Sequence, residues 1–110
     1  MEILSEKENN YWIIQIDGDL DASSSVVLDD EVKRLIDNNE KFIFIDCERL
    51  NYIASAGLGV FMSYLQDLAD KNISMKLFNL NEKVLEVFKI LGLDDLIDIV
   101  ENKESAIGTI

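Results

Sequence analysis

The chain has 110 residues, 10 Lys+Arg, 22 Asp+Glu and no His, giving a formal net charge of −12. That length and a hydrophobic fraction of 48% predict a single globular domain over 1–110, and no apolar run approaches the ~20 residues of a membrane helix. The missing His excludes Ser-His, Cys-His and His-metal sites, the lone Cys47 excludes an internal disulfide or thiolate zinc cluster, and the negative charge opposes phosphate backbones and anionic lipid.

Residues 2–7 suit an edge strand, and Asn9-Asn10 is a turn signal. Tyr11 to Asp17 alternates, with Trp12, Ile14 and Ile16 on one face. The two runs predict an antiparallel hairpin. Ser23 to Asn38 reads as a helix capped by its Ser run, with Val27, Val32, Leu35 and Ile36 as the buried stripe. Lys41 to Asp46 is apolar on both faces, as a covered central strand requires. Ser55 to Lys71 is a second helix, striped by Leu58, Phe61, Met62, Leu65, Leu68 and Ala69. A strand over 73–78 follows. A third helix over 81–91 is buried through Val84, Leu85, Phe88 and Leu91 and stopped by Gly92. A short strand at 97–100 and a last short helix from Glu101 complete the chain. The order predicts an α/β fold: a mixed sheet of four or five strands with an N-terminal hairpin and three to four packed helices.

Chemical motifs fail on spacing. Asp17, Asp19 and Asp21 begin like a calcium loop, but Ala22 and Leu28 stand where its turn Gly and bidentate Glu belong. The bland reading is an acidic loop after the strand. Gly57 and Gly59 form a G-x-G with no third Gly, and no phosphate-cradling lysine motif exists. Cys47 reads as a small core residue, with a reactive thiol the alternative. MEILSEKENN has glutamates where a secretory signal has basic residues. The expectation is a cytoplasmic, non-enzymatic protein with no cofactor, no metal, and no nucleic-acid or membrane partner.

The informative stretch is Ile53-Ala54-Ser55-Ala56-Gly57-Leu58-Gly59, where a buried strand gives way to a helix opening at a hydroxyl flanked by tiny residues. Ser55 reads as an N-cap, with the small residues allowing tight helix–sheet packing. The alternative is a phosphate acceptor, since a helix N-terminus carries about half a positive charge and Ala54, Ala56 and Gly57 leave room for a second molecule. Leu58 belongs either to the core, as its stripe favours, or to that surface.

This stretch resembles the signature of the STAS domain, shared by bacterial anti-sigma factor antagonists and sulfate-transporter tails. Gly18-Asp19-Leu20-Asp21 is similar to the family's first signature, before the first helix. The resemblance implies an antagonist that binds an anti-sigma factor with serine kinase activity, is switched off by phosphorylation and is reset by a phosphatase. It assigns the phosphoacceptor to Ser55. It assigns partner contact to Asp19, Asp21 and Ser23, and to Ala54, Ala56, Gly57, Leu58 and Gly59. Family members often carry Asp before the acceptor and a second Ser after it; here these are Ala54 and Ala56, so Ser55 is the sole hydroxyl of its turn. The alternatives are a STAS accessory subunit of a non-sigma signalling or transport complex, and a small nucleotide-binding module with a pocket lined by Asp19, Asp21 and Ser55.

Overall fold

The computed structural model describes residues 1–110. Five strands form one sheet in the order β1 (Glu2–Glu8), β2 (Tyr11–Leu20), β3 (Phe42–Ile53), β4 (Ser74–Phe78) and β5 (Asp98–Ile99). β1 pairs antiparallel with β2, and every later neighbour is parallel. This is the mixed sheet with an N-terminal hairpin that the alternating periods predict. Asn9 turns the hairpin at φ 52°, and the other non-glycine residues with positive φ (Asn39, Asn72 and Asn79) are also asparagines, each just past the end of a helix or strand. Asn tolerates this region because its short amide can bond locally.

Helices α1 (Ser25–Asp37), α2 (Ser55–Ser63), α3 (Leu65–Asp70) and α4 (Glu82–Ile90) follow the strands, and α5 (Lys103–Ile107) ends the chain. The main core joins Ile14 and Ile16 of β2, Ile43, Ile45 and Cys47 of β3, and Met75 and Leu77 of β4 to buried residues of α1, α2, α3 and α4. A small second cluster of Tyr11, Phe44, Phe78 and Ala106 lies on the other face, under α5. Period-two alternation along β2, β3 and β4 separates the two sets.

Several boundaries differ from the sequence reading. β2 runs past Asp17 to Leu20, so the expected acidic loop is strand. β3 runs past Asp46 to Ile53, so the expected loop before α2 shrinks to Ala54. Two register shifts, between Gln15 and Asp17 and between Gly18 and Asp19, keep these extensions paired while re-aiming their side chains. Gly18 sits there at φ +114°, and a Cβ on it would lie 3.2 Å from Met1 Cα.

The stripe of α1 is carried by Leu28, Val32, Leu35 and Ile36, while Val27 is 51% exposed. Val27 and Leu28 are adjacent, about 100° apart on a helix, and Leu28 is the one aimed at the sheet. The expected long second helix breaks at Tyr64 into α2 and α3. The Tyr64 hydroxyl donates to Asp29 Oδ1 of α1 at 2.8 Å, a tertiary tie with no counterpart in local sequence. Ala69 is exposed on α3. Leu91 is the C-cap of α4 rather than part of its stripe and is 58% exposed. Gly92 follows in the left-handed conformation at φ 71°, the stop its position predicts.

Candidate functional site

Two parallel strands deliver the two distinctive segments to one edge of the sheet. β2 ends at Leu20 and β3 at Ile53, and these residues are register partners. The Ala54 N–H then donates to the Leu20 carbonyl at 2.9 Å. Asp21 follows Leu20 and Ser55 follows Ala54, so the structure brings the two segments side by side.

On the first segment, Asp21 Oδ1 accepts from the backbone N–H of Ser23 at 3.1 Å and of Ser24 at 3.0 Å, and from their hydroxyls at 3.0 and 2.9 Å. The Ser25 N–H donates to the Asp21 carbonyl at 2.9 Å. Asp21 therefore caps the turn leading into α1; the Ser run, expected as the cap, supplies donors to it. The Ser24 backbone bond and the serine hydroxyls hold the Asp21 carboxyl down at about 2. Asp19 and Ser23 are exposed beside it. Asp17, one alternation earlier, pairs with Arg49 at 3.5 Å.

On the second segment, Ala54 is the N-cap of α2 at φ −89°, ψ 170°, with no side-chain cap and no acidic residue in the first turn. Ser55 is thus the first helical residue rather than the cap, and it is exposed. The first helical bond runs from the Leu58 N–H to the Ala54 carbonyl at 3.1 Å, leaving the N–H groups of Ser55, Ala56 and Gly57 outside the ladder. By contrast, Asn81 caps α4 through Val84 N–H and Asn102 caps α5 through Ser105 N–H.

The small residues divide by role. A Cβ on Gly57 would lie 2.8 Å from Leu20 Cδ2 and 3.0 Å from Ile53 Cγ1, so Gly57 is what lets α2 start against the sheet. A Cβ on Gly59 would meet nothing within 4 Å; the tight packing expected of Ala56, Gly57 and Gly59 together is the work of Gly57. Leu58 is 6% exposed and lies in the core. Leu58 and the buried Gly57 can shape an outer surface only by placing α2, not by touching a partner. Ser55, Ala56 and Gly59 remain outward, with Ala54 half-buried.

The sequence reading missed the apolar side chains around this face. Tyr52 is 57% exposed and registers with Asp19; Val26 is 58% exposed and, with Val27, opens α1. A signal existed in the run Val26-Val27-Leu28, because three consecutive helix positions span about 200° and cannot all face one sheet. None of the cavities is lined by Asp19, Asp21 or Ser55, so the pocket required by the nucleotide-binding alternative is not formed there. The site is an outer surface that combines one free hydroxyl, a helix start with unused N–H groups and a tightly held carboxylate. Its chemistry suits docking and charge modification.

A layer of helices on a mixed sheet, with paired signatures at the ends of β2 and β3, defines a class. The chain matches the STAS domain over residues 2–106 and belongs to that family. It is 31% identical over 104 residues, 94% of each chain, to the anti-sigma-B factor antagonist of Bacillus subtilis (strain 168). Its fold matches a crystal structure from Thermotoga maritima at TM-score 0.91 with 19% identity, over 98% of this chain and 93% of that one. It also matches the phosphorylated form of the Bacillus cell fate determinant SpoIIAA at TM-score 0.75 with 21% identity, over 98% of both chains. No helix is long and apolar enough to cross a membrane.

Proposed function

We propose that this chain is a cytoplasmic anti-sigma factor antagonist that works by binding rather than catalysis, and that phosphorylation of Ser55 switches the binding off. The partner is an anti-sigma factor with serine kinase activity, and a phosphatase resets the chain. The observation carrying this reading is the exposed Ser55 hydroxyl on an uncapped helix start, held beside the Asp21 turn by the bond from Ala54 N–H to the Leu20 carbonyl. The full-length likeness to an anti-sigma-B factor antagonist supports it, as does the existence of SpoIIAA in unphosphorylated and phosphorylated forms.

The physics is a contrast between free and bound states. A phosphate brings about −1.5 to −2 charges at neutral pH. On the free domain it faces the unused N–H groups of α2, where an exposed anion gains about 0.3–1 kcal/mol. At a docked interface the same charge must be desolvated without a matched cation, which costs several kcal/mol. Micromolar to nanomolar complexes hold about 8–12 kcal/mol, so one phosphate suffices to release the partner. Asp19 and Asp21 add repulsion of the same sign.

The test is incubation with the anti-sigma factor kinase and ATP, with site mapping by mass spectrometry and affinity by titration. Ser55→Ala should lose the phosphate and keep binding; Ser55→Asp should bind at least about tenfold more weakly, a change of about 1.4 kcal/mol. Phosphate only on Ser63 or Ser74 would defeat the assignment. A chain that no such kinase modifies would favour a STAS accessory subunit in a non-sigma complex, for which the Ala54 cap, lacking the carboxylate common in the family, is the supporting observation.

A further inference from the structure

β1 is an outer strand of the sheet: one of its edges pairs with β2 and the other meets no strand. In an antiparallel pair, alternate residues turn both backbone groups away from the partner. Along β1 those outward N–H and C=O groups bond to nothing else in the chain. They form a row of donors and acceptors that another strand can use.

The two faces of β1 differ. Ile3, Ser5 and Lys7 turn toward α1; Ile3 packs on the main core, and Lys7 meets Glu40 at 3.4 Å just past that helix. Glu2, Leu4, Glu6 and Glu8 alternate with them on the opposite face, the face that carries Tyr11 and Phe44. α5 covers Tyr11 there and leaves Leu4 60% exposed. Beside Leu4 a notch of about 190 Å³ opens, lined by Leu4, Ile13, Glu6, Glu8, Asp46 and Lys103. Three carboxylates thus share one ammonium, and Glu8 takes it, with Lys103 Nζ 2.8 Å from Glu8 Oε2. Arg49, the next cation along, is held by Asp17 at 3.5 Å. Glu2, Glu6 and Asp46 have no ion pair.

We propose that β1 accepts a basic extended segment of a partner protein as a further strand of the sheet, its Lys or Arg side chains lying along Glu2, Leu4 and Glu6 and reaching the notch. The mode is strand addition, in which backbone bonds supply affinity and alternate side chains supply selection. Charge complementarity selects this occupant. A second copy of the chain is opposed by the strand itself. Two-fold symmetry would pair β1 antiparallel with its copy, and each register that overlaps most of β1 sets Glu opposite Glu: Glu2 with Glu8, Glu2 with Glu6, or Glu6 with Glu6. Residues 4–8 pair with 11–15 at the start of β2, whereas the Ser55 face lies past its end at Leu20. This docking therefore does not depend on the Ser55 reading.

The experiment uses the whole chain and a synthetic capped peptide of alternating Lys and Val, matched to β1 in length. Affinity is read by titration and contact by amide hydrogen exchange. Alternate amides of β1 should gain protection, while the intervening ones, already bonded to β2, change little. A Glu/Val peptide of the same pattern should not bind. Because the net charge of −12 attracts any cationic peptide, two further Lys/Val peptides carry N-methyl groups, one on its lysines and one on its valines; they keep the charge and differ in which backbone edge can bond. One of the two should bind at least about tenfold more weakly than the other, having lost the donors that face β1. The Glu2→Gln/Glu6→Gln double variant should weaken binding about tenfold; both positions are exposed, so folding is not at stake. Ser55→Asp should leave the affinity within about twofold. The Glu/Val peptide binding equally well, the two methylated peptides binding alike, protection centred outside β1, the same protection arising without peptide through dimerisation, or no saturable binding at millimolar peptide would overturn the proposal.

Discussion

At the scale of single residues, two glycines of one helix make opposite predictions. Gly57 has no room for a side chain, since its Cβ would press on Leu20 at 2.8 Å and Ile53 at 3.0 Å, both buried. Gly57→Ala should destabilise the domain by about 1–3 kcal/mol, the usual cost of overpacking. Gly59 has open space around it, so Gly59→Ala should gain about 0.5–1 kcal/mol of helix propensity and raise Tm by about 3 °C. Thermal melts of the pair check both; a Gly59→Ala variant that melts lower would show that the open space is not free. Asp21 gives a pH test. Its folded-state ionisation is depressed to about 2 by Ser24 and Ser23, so its stabilising contribution is present above the unfolded value near 4 and is lost as pH falls through 2. The carboxylate is exposed, and solvent screening keeps that contribution modest. The stability gap between wild type and Asp21→Asn, measured in urea, should be constant from pH 7 to 5 and should close between about pH 4 and 2. A gap that persists at pH 2 would assign the effect to the cap geometry rather than to the charge.

At the scale of elements, the α2–α3 break tests what a single hydroxyl holds. Tyr64 Oη donates to Asp29 Oδ1 at 2.8 Å, and burial together with the Asp29 carboxylate pushes its ionisation upward. Tyr64→Phe keeps the ring and removes the tie. We expect a loss of about 1 kcal/mol and faster amide exchange confined to 63–70; unchanged exchange there would mean the break is set by backbone alone. This same break shows where sequence reading stops. The strands were legible because their apolar residues alternate, and Gly92 was legible because a left-handed stop wants glycine. The break at Tyr64 has no Gly or Pro beside it and depends on a residue in another helix. The extensions of β2 and β3 were illegible for a related reason. Asp17-Gly18-Asp19 has turn composition, yet bulges and a partner strand keep it extended. At the candidate site, the strand-then-helix order already placed Asp21 and Ser55 together at one end of a parallel sheet; the pairing of Leu20 with Ile53 is the detail that only the structure supplies.

At the scale of the whole molecule, charge dominates. With 22 acidic and 10 basic groups on 110 residues, self-repulsion opposes the folded state, and the ion pairs present are mostly exposed and therefore weak. Salt shortens the Debye length from about 10 Å at 0.1 M to about 3 Å at 1 M. Raising NaCl should thus raise Tm, the opposite of the response of a fold held by surface ion pairs. A Tm that falls with NaCl in differential scanning calorimetry would refute this ordering of the two effects.

The sheet order β1-β2-β3-β4-β5 is also the order of synthesis. Each strand finds its partner already laid down by the strand before it, so no loop must close around an element not yet formed. The chain has no proline and a single cysteine, which removes the two common sources of folding phases lasting seconds to hours, prolyl isomerisation and disulfide reshuffling. A population unfolded by heat or denaturant would therefore recover its native surface quickly on return to folding conditions. Under the switch proposed above, a phosphate on Ser55 would be a covalent mark that outlives the loss and return of shape.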